Sequence, residues 1–144
     1  MSCNTLGNLL SATNRLPEAE ERYREALAIY RRLAEANPAA YEPYLAASCN
    51  NLGALLYTTN RLPEAEERHR EALAIRRRLA EANPAACEPD LAMSCYNLGL
   101  LLLITTRKPE AKPLFREALA LWEKYPHHKD DADRVRWILD LVFN

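Results

Sequence analysis

Apolar residues recur along the chain at intervals of three and four, the spacing of one face of an α-helix. In the clearest example this face predicts a helix over residues 43–58, which we call helix A. The apolar positions that define it are Leu45, Cys49, Leu52 and Leu56. We expect Asn60 to end this helix, because asparagine tolerates the left-handed conformation found just past helix ends.

A second helix, helix B, is predicted over residues 62–82. Pro63 suits its first turn, and the glutamates that follow lie near the positive end of the helix dipole. Asn83 and Pro84 are expected to end it, because the residue before a proline avoids the α region. The basic pattern is therefore a pair of helices joined by a short turn.

This pair of helices recurs along the chain with a spacing of 46 residues, as Cys3, Cys49 and Cys95 illustrate. Residues 1–46 and 47–92 differ at nine positions, whereas the third copy diverges after Lys108. One such hairpin cannot bury both of its faces, so we predict an all-α fold, an α-solenoid of three stacked hairpins and a C-terminal capping helix. The predicted boundaries are 1–40, 41–86 and 87–126 for the repeats and 130–143 for the capping helix.

All three glycines of the chain occupy one slot of helix A, at positions 7, 53 and 99. A glycine inside a helix costs about 1 kcal/mol relative to alanine, so this placement predicts two helices that approach too closely for a Cβ. Helix B supplies small partners, and one large residue lies between them in each copy. The small residues are Ala19, Ala26, Ala65, Ala72, Ala111 and Ala118, and the large ones are Tyr23, His69 and Phe115.

This order of small and aromatic positions resembles the tetratricopeptide repeat over about residues 1–125. The words Asn-Asn-Leu-Gly at 50–53 and Glu-Ala-Glu at 64–66 look like the long-repeat, kinesin-light-chain-like subclass. The resemblance implies a non-catalytic scaffold that binds a protein or an extended peptide, with no cofactor. The near-identity of two copies indicates recent duplication or a consensus-type sequence, and it is compatible with an engineered array or one excised from a longer array.

Four of the five helix A positions at which the first two copies differ form a single stripe at helical spacing, which by resemblance lies on the concave peptide-binding face. A row of asparagines lies beside it, and carboxamides can hold a peptide backbone whatever its side chains. The alternatives are neutral drift and amides that satisfy neighbouring helices. Helix A contains no Lys or Arg, which argues against an acidic C-terminus as ligand. The predicted peptide-binding residues are Asn4, Asn8, Asn50, Asn51, Ala54, Tyr57, Tyr96, Asn97 and Leu100.

The C-terminal part of the chain is more apolar than one intramolecular contact needs. This suggests a second hypothesis, in which the protein is a self-assembling module that forms a dimer or a head-to-tail oligomer. The residues predicted to take part in self-association are Leu103, Ile104, Trp137, Leu141 and Phe143.

The composition of the chain mainly argues against certain partners and chemistries. The chain has 19 basic and 20 acidic side chains and a formal net charge of −1, so neither nucleic acid nor an anionic membrane is favoured as a partner. The four cysteines are expected to be free thiols, and His127 with His128 is expected to bind metal only adventitiously. We find no catalytic or metal-ligand motif, and the absence of a signal or anchor segment predicts a cytoplasmic protein.

Overall fold

A computed structural model describes residues 3–143 of the chain. The regular secondary structure of this part is entirely helical, and a 3₁₀ turn at Pro126–His128 precedes the last α-helix. The predicted all-α class, helical hairpins followed by a C-terminal helix, is confirmed. In chain order the α-helices of residues 3–143 are α1 (Cys3–Ala12), α2 (Leu16–Ala36), α3 (Pro38–Thr58), α4 (Leu62–Ala82), α5 (Pro84–Ile104), α6 (Lys108–Trp122) and α7 (Lys129–Phe143).

The chain divides into two compact units, the first ending at Ile75 and the second beginning at Arg76. Helix α4 contributes residues to both units. In the first unit, α2 packs against α1 and against α3. In the second unit, α6 packs against α5 and against α7.

The structure corrects the predicted start of helix A. Helix α3 begins at Pro38, five residues before the predicted start, and Pro43 lies inside it. Asn37 caps the helix through a side-chain oxygen that accepts a hydrogen bond from the Ala40 amide at 3.4 Å. A capping asparagine followed by proline in the first turn is a strong start signal, whereas Pro43 forfeits a single helical hydrogen bond.

The turn between helix A and helix B is confirmed as a left-handed one. Asn14 and Asn60 have φ angles of 62° and 61°, and Thr106 has 62°. At each turn the next residue closes the helix end, as when the Arg61 amide donates to the Leu56 carbonyl at 2.8 Å. Asparagine tolerates this conformation, but threonine is β-branched and is strained there.

We therefore expect Thr106→Gly to raise the free energy of unfolding by about 1 kcal/mol, since the left-handed conformation costs an L-residue roughly that much. The measurement is chemical denaturation followed by circular dichroism. Thr105, which has a φ of −92°, provides a matched control. Thr105→Gly should lower stability, because it adds backbone freedom in the unfolded state and removes the hydrogen bonds that the Thr105 hydroxyl donates to the Leu101 and Leu102 carbonyls. A loss of stability in both variants would contradict the assignment of strain to Thr106.

The glycine slot is as close-packed as the sequence predicts. A Cβ built on Gly7 would lie 2.6 Å from Cε1 of Tyr23, and one on Gly53 would lie 2.9 Å from the His69 ring. One on Gly99 would lie 3.0 Å from Cζ of Phe115. The six alanines of helix B are buried. Small residues therefore let each helix A lie directly against an aromatic ring of the helix B that follows it.

Gly7→Ala should destabilise the protein by about 1–3 kcal/mol, the usual cost of overpacking. Gly99→Ala should be nearer to neutral, because its contact is longer and the gain in helix propensity is about 1 kcal/mol. Guanidinium denaturation of the two variants and the parent protein measures the difference. Equal stabilisation by both alanines would show that the slot is not close-packed.

Ion pairs join α2 to the start of the second copy of helix B within the first unit. Arg24 lies 2.9 Å from Glu64, and Arg31 lies 2.7 Å from Glu71. Arg61 donates to Glu20, and this hydrogen bond is the main reason that the pKa of Glu20 is lowered. The second unit repeats one of these pairs, since Arg77 lies 2.6 Å from Glu117.

Candidate functional site

A neutral cleft of about 220 Å³ lies on the helix A side of the first unit, between α1 and α3. None of its lining side chains carries a charge. They are Asn8, Ser11, Tyr23, Asn51, Ala54, Leu55 and Thr58. Three predicted peptide-binding residues, Asn8, Asn51 and Ala54, therefore lie around one cleft.

Tyr23 determines how Asn8 is presented to this cleft. Its hydroxyl donates to the Asn8 Oδ1 at 2.6 Å. Burial raises the pKa of Tyr23, so the hydroxyl is neutral and remains a donor at physiological pH. Because its oxygen is engaged, Asn8 has its two amide protons left to donate.

Helix α3 forms the other wall of the cleft. Asn51 is half-buried and Ala54 is exposed, while Leu55 is buried and gives the cleft an apolar surface. The Thr58 hydroxyl donates to the Ala54 carbonyl at 3.1 Å and can still accept a hydrogen bond. The cleft thus combines donors and acceptors with a small apolar area and no fixed charge. This chemistry suits the uncharged backbone of a peptide.

Other predicted asparagines lie away from the cleft lining. Asn4 donates through Nδ2 to the Ser48 hydroxyl at 2.9 Å, which ties α1 to α3. This contact matches the alternative in which the amide satisfies a neighbouring helix. Asn50 and Asn97 are half-buried.

The predicted aromatic and apolar residues are divided between the two units. In the first unit Tyr57 is exposed and does not line the cleft. In the second unit Tyr96 belongs to an aromatic cluster, with ring centroids 6.1 Å from Phe115 and 5.8 Å from Trp122. Leu100 is half-buried.

The residues predicted for self-association differ in exposure. Trp137 and Leu141 on α7 are 62% and 63% exposed, and Ile104 is 48% exposed. Leu103 is half-buried, and the ring of Phe143 lies 6.0 Å from that of Phe115. Phe143 therefore contributes to the packing of α7 on α6.

Four of the residues that line the cleft were not among the predicted peptide-binding residues. Thr58 belongs to the stripe that varies between copies, and Ser11 also differs between copies although it lies off that stripe, so variation between copies was a usable signal. Tyr23 was assigned to the core, although its replacement by His69 and Phe115 marks a slot whose polarity changes between copies. Nothing in the sequence distinguishes Leu55 from the other apolar positions of helix A, so it could not have been predicted as a cleft residue.

The cysteines are free thiols, as predicted. Cys49 and Cys95 are fully buried, and burial raises the pKa of each to about 12. Since the thiolate is the reactive form, both should be inert in the folded protein.

In a variant carrying Cys3→Ser and Cys87→Ser, no thiol should react with Ellman's reagent at about pH 8 until the chain unfolds, because Cys49 and Cys95 stay protonated and covered. Absorbance in buffer and in guanidinium gives the two counts. The parent protein is the control and should show additional reactive thiols before unfolding. A rapid reaction of the double variant would contradict the burial of this pair.

No helix within residues 3–143 is long and apolar enough to cross a membrane. In the same range no three His, Cys, Asp or Glu side chains are grouped to hold a metal ion. His128 instead lies 2.9 Å from Asp131 through Nδ1, and its ring stacks on Trp122.

The sequence matches the model of a known repeat family. The family model of the tetratricopeptide repeat matches residues 1–39, 45–85 and 91–125, well over half of the chain. No curated protein matches the chain.

Proposed function

The chain belongs to the tetratricopeptide repeat family, and on that premise we propose that it holds an extended segment of a partner protein in the neutral cleft. Repeats of this family generally act as protein-interaction scaffolds and are typically non-catalytic. The partner is therefore a protein or an extended peptide.

The observation that carries this proposal is the Asn8 amide, whose orientation Tyr23 fixes at the edge of an uncharged cleft. Preorganised donors cost less side-chain entropy on binding than mobile ones. Asn51 supplies a second amide from the facing helix. The two amides can bridge carbonyl and amide groups along a peptide, which is recognition through the main chain.

The same geometry limits the ligand. A carboxylate would need a cation or several convergent donors to replace its water, and no cationic side chain lines the cleft. We therefore propose a neutral segment with small or apolar side chains, one of which contacts Leu55.

The finer predictions are retained as parts of this proposal. Additional contacts are assigned to the remaining predicted residues, and the repeats are taken to end at 40, 86 and 126, with the capping helix at 130–143. The kinesin-light-chain-like subclass, the consensus-type origin and the cytoplasmic location also stay predictions. The additional contact residues are Asn4, Asn50, Tyr57, Tyr96, Asn97 and Leu100.

The test is selection from a phage-displayed library of random peptides, followed by calorimetric titration of a selected peptide. Ala54→Arg fills the cleft with a large charged side chain, so it should weaken binding at least about tenfold, or 1.4 kcal/mol. Asn51→Ala should weaken it by a similar factor if the amide contacts the peptide backbone.

Ala74→Arg is the matched control, because Ala74 is an exposed alanine of α4 outside the cleft lining. It should leave affinity and helicity unchanged. Equal affinity of the Ala54→Arg and Ala74→Arg variants would place the binding surface elsewhere and refute the proposal. Failure of the library to give any peptide that competes for this cleft would also count against it.

A further inference from the structure

The first hairpin has an exposed surface whose counterpart in the second copy is covered. Leu9 is 51% exposed, whereas Leu55, one repeat later, is 3% exposed and faces the cleft beside α1. We call this surface the front face and define it by Leu9, Arg15, Glu18 and Glu25.

The charged residues of the front face also have paired counterparts. Arg61, Glu64 and Glu71 are the equivalents of Arg15, Glu18 and Glu25 one repeat later, and each pairs with α2. Their partners on α2 are Glu20, Arg24 and Arg31. The front face therefore presents the same charges that α2 already binds within the first unit.

In the first hairpin these charges pair locally and stay accessible to solvent. Arg15 pairs with Glu18, and their side chains are 61% and 51% exposed. Glu25 pairs with Arg22 at 2.7 Å. Such exposed pairs contribute little stability, so exchanging them for an intermolecular pair costs little.

Helix α7 carries a surface that repeats the pattern of α2. Asp130, Arg134, Trp137 and Leu141 are all exposed and share one face of the helix. Their spacing is that of Glu20, Arg24, Leu27 and Arg31, in which Leu27 is buried. An acid, an arginine and an apolar residue thus occur in the same order on α7, and we call these four residues the α7 face.

We infer that the front face of one chain docks on the α7 face of a second copy of the same chain. Asp130 replaces Glu20 and pairs with the second copy's Arg15, while Arg134 replaces Arg24 and pairs with its Glu18. Trp137 and Leu141 cover the second copy's Leu9. The observed pairs of Glu20 with Arg61 and of Arg24 with Glu64 are the template for these two intermolecular pairs. Leu141 stands where Arg31 does, so the pair of Arg31 with Glu71 has no counterpart in the docked complex and Glu25 keeps its pair with Arg22.

Docking requires Arg134 to give up two contacts within its own chain. One is the ion pair with Asp131, at 3.4 Å, and the other is the contact with the Tyr96 ring, whose centroid is 5.9 Å away. The contact joins two different faces, so a dimer still has one free front face and one free α7 face, and the oligomer grows with concentration. The contact uses none of the residues that line the neutral cleft, so it is independent of the proposed peptide binding.

The test is light scattering coupled to size exclusion over a wide range of protein concentration. The parent protein should increase in mass with concentration. Leu9→Glu and Trp137→Glu should each give a monomer, because each buries a charge in one of the two faces. An equimolar mixture of the two variants should form a dimer, since the intact α7 face of one variant can still bind the intact front face of the other.

Tyr44→Glu is the control, because Tyr44 is an exposed aromatic residue outside both faces and outside the residues predicted for self-association. It should leave assembly intact, and circular dichroism should show that all three variants keep their helix content. A parent protein that stays monomeric at every concentration would overturn the inference, as would a mixture that stays monomeric. Dissociation by Trp137→Glu alone would overturn it in favour of a symmetric contact between two α7 faces.

Discussion

The close approach of helix A to an aromatic ring of helix B is the constraint on which the other features depend. A Cβ would collide with Tyr23 at position 7 and with His69 at position 53, and at position 99 it would make a tight contact with Phe115. Without a Cβ, the helix backbone itself becomes the wall against which the ring packs. Burial of the ring and of the flanking alanines then fixes the hairpin, since close packing permits few alternative arrangements.

The same contact also produces the candidate site. The Tyr23 ring lies against Gly7, and its hydroxyl reaches Asn8, the next residue of α1. In the second copy the ring is His69 and the adjacent residue is Ala54, and in the third they are Phe115 and Leu100. The contact between glycine and ring therefore recurs in all three copies, while the ring and the residue that follows the glycine change in polarity. A fold built from copies can vary its binding surface in this way without changing its core.

The charged residues of helix B have a complementary role. Within the first unit Glu20, Arg24 and Arg31 pair with residues of the following copy, and the pair of Arg77 with Glu117 repeats this in the second unit. Pairs of this kind add little free energy when exposed, but they disfavour a shifted register because like charges would meet. The register of the copies is thus specified by charges, while the packing free energy comes from buried apolar residues such as Leu52 and Ala72.

The sequence alone determined the helices, the repeat and the role of the glycines, because each depends on periodicity or on a local backbone preference. Asn60 marked the left-handed turn, and the fixed slot of the three glycines predicted the close contact before any ring position was known. The predicted start of α3 was wrong, because Pro38 and Pro43 are both suited to the first turn of a helix. Only the side-chain cap at Asn37 shows that the helix begins at Pro38. The site was predicted in part, since Asn8, Asn51 and Ala54 lie on the variable stripe.

Tertiary structure alone decided that Tyr23 faces Asn8, that Asn4 binds Ser48 and that Phe143 packs on Phe115. Those contacts join different helices, and periodicity along one helix carries no information about which side chain of another helix it meets.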